Sequence, residues 1–282
     1  MPDPLSRPAP STFDGFRLLG RRGGDAGSLD AQIQAMLLGT TGFYLDPTDA
    51  STKWQTDDTS TPWTTDGQAV GRLQGKFGSA PPVLVQAVAG DRPVGNSRYV
   101  EGDGVSKFLQ AANAVALQNA PYGFLAMRIR ALTLAGGRYT AGFSVNIASQ
   151  PRMMVALQPG PVLQLATRRL DGDVTHNDNS TSGEVALGTD YNLCLAFDAA
   201  GTGNISLRKD GVDTTSTDFP SIRPGTAANF SNTASTNFSL FTLNGTIFAN
   251  VRIGRLFALP FAPSGPQIAL IESALTAGGS LA

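Results

Sequence analysis

Between residues 122 and 257 the apolar side chains recur at every second position, and a segment written with that period buries one face as a β-strand. Tyr122 to Leu132 sets Leu125, Met127 and Ile129 on one side. Thr140 to Ala148 alternates Phe143, Val145 and Ile147 with Ser144 and Asn146, and Arg152 to Gln158 repeats the pattern with Met153, Val155 and Leu157. Val162 to Thr167, Tyr191 to Phe197, Asn204 to Lys209, Phe238 to Leu243 and Ile247 to Phe257 continue it. Gly136-Gly137, Asp210-Gly211 and Asn244-Gly245 stand between them, residues that adopt the positive φ of tight hairpins. The expectation is an antiparallel meander of more than six strands, and two stacked sheets are the ordinary way to bury so many half-apolar strands. A load of 32 Gly and 18 Pro in 282 residues suits short strands and turns better than long helices. No repeat of fixed period argues for a propeller or a solenoid.

Two short helices flank the strands. Ser28 is placed to cap a helix whose Leu29, Ile33, Met36 and Leu37 fall at i, i+4, i+7 and i+8, with Gly39 at its end. So short a helix is marginal alone, and its apolar face must dock on the chain's own domain or on a neighbouring subunit. Ser264-Gly265-Pro266-Gln267 fits a capping box opening a second helix, with Ile268, Ile271 and Leu275 on one face and Gly278-Gly279 closing it. Residues 1–27, rich in Pro, Gly, Arg and Ser, read as an extended arm.

Charge and cysteine count exclude several classes. Lys+Arg 21 against Asp+Glu 22 gives a net charge of −1, which leaves no electrostatic footprint for nucleic acid or an anionic membrane. Cys194 is the one cysteine, so no intrachain disulfide forms, and Leu193 and Leu195 beside it favour an inert strand thiol. His176 is the one histidine, which excludes a His-rich zinc site; no metal and no cofactor is assigned. No apolar run reaches the roughly 18 to 20 residues of a membrane span, so membrane insertion is not expected. Met1-Pro2-Asp3-Pro4 opens no basic region followed by an apolar stretch, so no Sec-type signal is expected.

Residues 43 to 109 carry five pieces in order: Phe43-Tyr44-Leu45-Asp46-Pro47-Thr48-Asp49 with Ser51-Thr52; Trp54-Gln55; Asp66-Gly67-Gln68-Ala69-Val70-Gly71; Asp91-Arg92-Pro93; and Glu101-Gly102-Asp103-Gly104-Val105 with Phe108-Leu109. Together they resemble a recurrent segment of bacteriophage, prophage and gene-transfer-agent virion proteins, in which the segment opens a concanavalin A-like (laminin G-like) jelly roll. Tyr191 to Asp213 resembles that family's paired strands, and Arg252-Ile253-Gly254-Arg255-Leu256 its last strand, so the likeness covers roughly residues 43 to 275. Gly75-Lys76-Phe77-Gly78 stands where the family has an Asp-Lys-Ser-Gly stretch, and Val105-Ser106-Lys107 replaces a pair of acids. Several retained pieces need no ligand to explain them: Pro47 and Pro93 fix φ, Gly67 and Gly104 permit turns, and Trp54 and Trp63 pack under the first loop.

The resemblance implies an all-β antiparallel sandwich over residues 43–282, joined to a particle through an arm and helix at residues 1–42. It implies a homo-oligomeric spike or fibre whose partners are other virion proteins and host cell-surface polysaccharide. The location implied is the virion surface, on a particle assembled in the bacterial cytoplasm and released by lysis.

Sugar recognition asks for an aromatic face against a pyranose and for planar amide, carboxylate or guanidinium groups at its hydroxyls. Arg138, Tyr139, His176, Asn177 and Asp178 lie in connections that converge at one rim and are assigned to carbohydrate. The stretch Asp171 to Ser180 reads as the most polar loop of the strand region; its oxygens are of the kind calcium takes, but EF-hand spacing is absent and such clusters serve any exposed connection. Glycoside hydrolysis needs two carboxylates about 5 to 9.5 Å apart. Asp46, Asp49, Asp103, Asp171, Asp173 and Glu184 are available, yet no Glu-x-Asp-x-Glu strand occurs, and the chain is expected to be non-enzymatic. A capsule depolymerase and a decoration protein without ligand are the alternatives.

Overall fold

The structure, a computed structural model, describes residues 27–134, 138–145, 150–160, 162–170, 172–173, 175–180, 184–214, 228–231, 236–243 and 245–282, with the backbone alone for Val145, Gln150 and His176. The arm at 1–26, the Gly136-Gly137 turn and Asn244 lie outside the described residues.

The resemblance region supplies seven short strands: β1 (Phe43–Leu45), β2 (Lys53–Trp54), β3 (Arg72–Gln74), β4 (Val83–Val85), β5 (Val94–Gly95), β6 (Val100–Glu101) and β7 (Leu109–Ala111). The alternating region supplies β8 (Gly123–Ala131), β9 (Arg138–Val145), β10 (Gln150–Gln158), β11 (Val162–Thr167), β12 (His176–Asn179), β13 (Asp190–Phe197), β14 (Ile205–Lys209) and β15 (Val212–Asp213). It ends with β16 (Thr236–Leu240), β17 (Thr242–Leu243), β18 (Ile247–Phe248) and β19 (Val251–Leu259). Helix α1 spans Leu29–Leu37 and α2 spans Gly265–Ala277.

Among the described residues the strands pair antiparallel in two large sheets. The eight-stranded sheet runs β15-β14-β13-β8-β19-β6-β5, with β1 also on β19; the nine-stranded sheet runs β12-β11-β10-β9-β16-β7-β4-β3-β2. This is the expected all-β sandwich, but not the single meander. β9 to β12 do follow one another, whereas β8 lies in the opposite sheet and β16 inserts between β9 and β7. Strands with one apolar face must meet a second such face, and a chain that crosses between two layers provides it.

Leu125, Met127, Ile129, Phe143, Val155, Leu165, Leu195 and Ile253, the inward positions of the alternation, fill the space between the layers. Phe238 joins them, its ring centroid 5.0 Å from that of Phe43 and 4.8 Å from that of Phe143. Asp210 and Gly211 hold φ of 50° and 83°, as a two-residue hairpin turn requires. The opposite faces of β8, β13 and β19 are not left to water. Phe124, Ala126, Cys194, Phe257 and Leu259 form a second core with Ile33 and Leu37 of α1 and Ile271, Ala274 and Leu275 of α2. The apolar face of α1 therefore docks on the chain's own sheet, and burial pushes the Cys194 thiol up to about 12. Ser28 caps α1 through its side chain, which accepts from Ala31 N at 3.3 Å, and Gln267 Oε1 accepts from Ser264 N at 2.8 Å at the start of α2.

Beneath the first loops, Lys53 is buried, with its Nζ 3.5 Å from the Trp63 ring centroid and donating to Asn96 O at 2.7 Å. Burial holds this ammonium down at about 8. Between that value and the ordinary lysine range the unfolded chain binds the extra proton, so native stability rises with pH across this window and bears the full cost below it. Relative to Lys53→Met, the wild-type chain is expected to gain about 3 kcal/mol between pH 8 and 10.5 in urea unfolding. Parallel pH profiles for the two proteins would contradict this.

Candidate functional site

The nine-stranded sheet carries the site. Met153, Val155, Leu157, Leu163 and Leu165 face the core, so on β10 and β11 the alternate positions Met154, Ala156, Gln158, Gln164 and Ala166 lie on the outer face. Register extends that face to both sides: past a one-residue register shift in β9, Ala156 pairs with Tyr139, and Gln164 pairs with Asn179 and Ala166 with Asn177 on β12.

Three amides on this face join head to tail. Gln158 Nε2 donates to Gln164 Oε1 at 2.8 Å, and Gln164 Nε2 donates to Asn179 Oδ1 at 2.7 Å. Gln164 is 8% exposed, so the ladder is fixed in its middle, while Asn179 and Asn177 are exposed and Gln158 half-buried. A ladder of this kind leaves an acceptor at one end, Gln158 Oε1, and donors at the other, Asn179 Nδ2. Tyr139 lies in the same register row beyond Ala156, half-buried, its phenol pushed up by burial and thus a proton donor at neutral pH. Small Ala156, itself fully buried, separates the aromatic from the amides. An apolar ring beside a fixed row of donors and acceptors is what the two faces and the rim of a sugar require.

The residues assigned from sequence are only partly brought together. Tyr139 and Asn177 share the outer face, but β10 and β11 separate their strands. Asp178 pairs with the core residue Leu165 and so belongs to the other face of β12. Arg138 pairs with Leu157 at the start of β9, and the backbone of His176 pairs with Thr167. The expected polar loop is corrected as well: His176–Asn179 is an edge strand, because a sheet edge tolerates amides facing water while its backbone pairs with β11. Gln158 and Gln164 escaped the sequence reading, and Asn179 entered it only as part of the polar stretch Asp171 to Ser180. Their signal was amides at the outward positions of otherwise apolar strands.

The candidate carboxylates hold structure. Asp46 pairs with Arg255, Asp49 with Lys76 and Glu184 with Lys209, while Asp173 Oδ2 accepts from Leu170 N at 2.9 Å. Asp103 Oδ1 accepts from the backbone N–H of Val105 at 2.9 Å and of Ser106 and Lys107 at 3.0 Å, closing its loop. Asp171 lies outside the described residues. Among the described residues no group of three His, Cys, Asp or Glu side chains is placed to hold a metal ion.

Fold and face together define a two-sheet, all-β sandwich whose nine-stranded sheet carries an amide ladder and a half-buried tyrosine on its outer face. No family model matches the sequence, and no curated protein does. Among solved structures, Trypanosoma rangeli sialidase in complex with 2-keto-3-deoxy-D-glycero-D-galacto-2,3-difluoro-nononic acid is similar at a TM-score of 0.55 and 9% identity, over 84% of this chain and 33% of that one. Trypanosoma rangeli sialidase in complex with sialic acid gives 0.54 and 10% over the same shares. A Ruminococcus gnavus IT-sialidase CBM40 bound to alpha2,3 sialyllactose overlaps 61% of this chain and 96% of its own at 14% identity, with a TM-score of 0.44. The chain spans about a third of the length of the sialidases it matches, and at such identities the shared property is the fold. The expectation of a non-enzymatic chain is corrected by these matches, since the architecture is one that sialidases, which are enzymes, contain.

Proposed function

We propose that this chain binds carbohydrate on the outer face of its nine-stranded sheet, through Tyr139, Gln158, Gln164, Asn177 and Asn179. The observation that carries the reading is the amide ladder, anchored at Gln164 and set one small residue away from Tyr139. Support comes from the sandwich being similar to part of a sialidase whose structure is in complex with sialic acid. The finer reading keeps the likeness of residues 43 to 109 to virion proteins. In it the chain is a spike or fibre component on the surface of a phage-like particle, adsorbing to host polysaccharide. Weak contacts repeated over many copies raise avidity about 10² to 10⁴ fold, which makes a homo-oligomer the working form.

The test is titration of host surface polysaccharide with the purified full chain, with released reducing ends measured in the same samples. Gln164→Ala leaves Gln158 and Asn179 without their shared partner, and Tyr139→Ala removes the ring. Each is expected to weaken binding about tenfold or more without change in the thermal unfolding midpoint beyond a few degrees. Wild-type affinity in both variants would refute the site, and a wild-type chain that retains no polysaccharide would refute the function. Antibody labelling of intact particles tests the virion placement, and its absence from them counts against that part alone.

A further inference from the structure

The outer face of the nine-stranded sheet does not end at the amide ladder. One register row crosses all nine strands: Asn177, Ala166, Met154, Gly142, Ser239, Gln110, Val85, Arg72 and Trp54, each paired with the next. The parity is consistent throughout, because the neighbours Leu165, Phe143, Phe238, Leu109, Leu84 and Leu73 all face the core. Ser239, Met154 and Ala166 in the middle of the row are buried, so the row opens to water at its two ends. The far end is the edge pair of β2 and β3, eight strand spacings or about 38 Å from Asn177.

At that end Trp54 and Arg72 are both half-buried, with the Arg72 guanidinium carbon 5.5 Å from the Trp54 ring centroid. The guanidinium is poorly engaged. Among the described residues its Nε is buried with no hydrogen-bond partner, and Nη1 donates to the backbone carbonyl of Asp57 at 3.5 Å. The Asp57 carboxylate is turned instead to Arg92, 3.4 Å from its Nη2. An arginine presents a planar fork of five donors that fits a carboxylate with two parallel bonds, and an indole beside it offers a face for a pyranose ring.

We propose that Trp54 and Arg72 form a second subsite, one that takes the carboxylate of an acidic sugar. The inference rests on the carbohydrate reading given above and narrows it. The ligand is a carboxylate-bearing polysaccharide long enough to pass over the buried middle of the row and engage both of its ends, and joining the two contacts in one polymer raises affinity through effective concentration.

The experiment uses the full-length chain, a microarray of neutral and carboxylated glycans, and titrations with the best-bound acidic polysaccharide and its carboxyl-reduced form. Wild type is expected to favour carboxylated glycans and to bind the native polymer at least tenfold more tightly than the reduced one. Arg72→Gln is expected to abolish that ratio, bringing both affinities to the wild-type value for the reduced polymer. Arg72→Lys, which keeps the charge and loses the fork, is expected to restore part of it, and thermal unfolding of both variants guards against misfolding. Gln164→Ala is expected to weaken both forms by the same factor and leave the ratio standing. Preference for neutral glycans, or an unchanged ratio in a folded Arg72→Gln, overturns the subsite while the carbohydrate reading survives; no binding of any glycan by wild type overturns both.

Discussion

Gly142→Ala is expected to lower the unfolding free energy by about 4 kcal/mol or more, enough to leave much of the chain unfolded at 37 °C. Gly142 lies in β9 between Ser239 on one neighbouring strand and Met154 on the other, near the centre of the nine-stranded sheet. A Cβ there would stand 2.3 Å from Met153 O and 2.6 Å from Met154 Cα. Both are backbone atoms of the adjacent strand, so no side chain can swing aside; the ladder itself would have to open. The residue also sits at φ 150°, where an L side chain is strained whatever the space. Gly90 makes the matched control. A Cβ at Gly90 meets nothing within 4 Å, and Gly90→Ala is expected to stay within about 0.5 kcal/mol of wild type. Urea unfolding of the three proteins decides the matter, and equal midpoints for Gly142→Ala and wild type would contradict the geometry. Because the row through Gly142 runs from Asn177, two residues from the ladder's Asn179, to Trp54 and Arg72, the loss is expected to remove the proposed carbohydrate binding together with the fold.

Arg255→Ala is expected to cost about 3 to 5 kcal/mol, the range for a buried ion pair that loses one partner and leaves the other charge uncompensated. Arg255 Nε donates to Asp46 Oδ1 at 3.0 Å and Nη2 to Oδ2 at 3.4 Å, with the Asp46 side chain 4% and the Arg255 side chain 12% exposed. The guanidinium also donates to Thr48 Oγ1 at 3.1 Å and to Ala274 O at 2.9 Å, while Asp46 Oδ1 accepts from Thr48 N at 3.1 Å. One side chain on β19 thereby holds the turn after β1 and the last turn of α2. Asp46→Ala is expected to cost a similar amount. Removing both partners is expected to cost less than the sum of the two single losses, because no buried charge then remains unpaired. Additive losses in urea unfolding would mean that the two side chains act independently.

The same pair shows what a sequence motif can and cannot convey. Phe43 to Asp49 is read from sequence as a mark of resemblance, and the structure gives its parts physical tasks. Phe43 packs against Phe238, Asp46 binds Arg255, and Asp49 accepts from Ser51 N at 3.0 Å to cap a short turn. None of those partners except Ser51 is near in sequence, so their roles were not legible before the strands were paired. In the same way Trp63 lies buried against Lys53 while Trp54 stays half-exposed beside Arg72, although both indoles belong to one short stretch.

The period-two pattern, the Asp210-Gly211 turn and the caps at Ser28 and Ser264 were fixed by local chemistry, since alternation, positive φ and unpaired helix-end N–H groups act within a few residues. Those signals sufficed for an all-β sandwich with two short helices. Which strand neighbours which is a different kind of information. Gln158, Gln164 and Asn179 come from three strands and became one ladder only when β10, β11 and β12 paired in a particular register; a slip of one residue would have sent their side chains to the core. Tyr139 and Asn177 were divided by the same rule, and α1 found its partner in the outer face of the eight-stranded sheet rather than in anything its own residues specify. Local pattern states which face of each strand is buried, and only the pairing of strands states what shares the face left open.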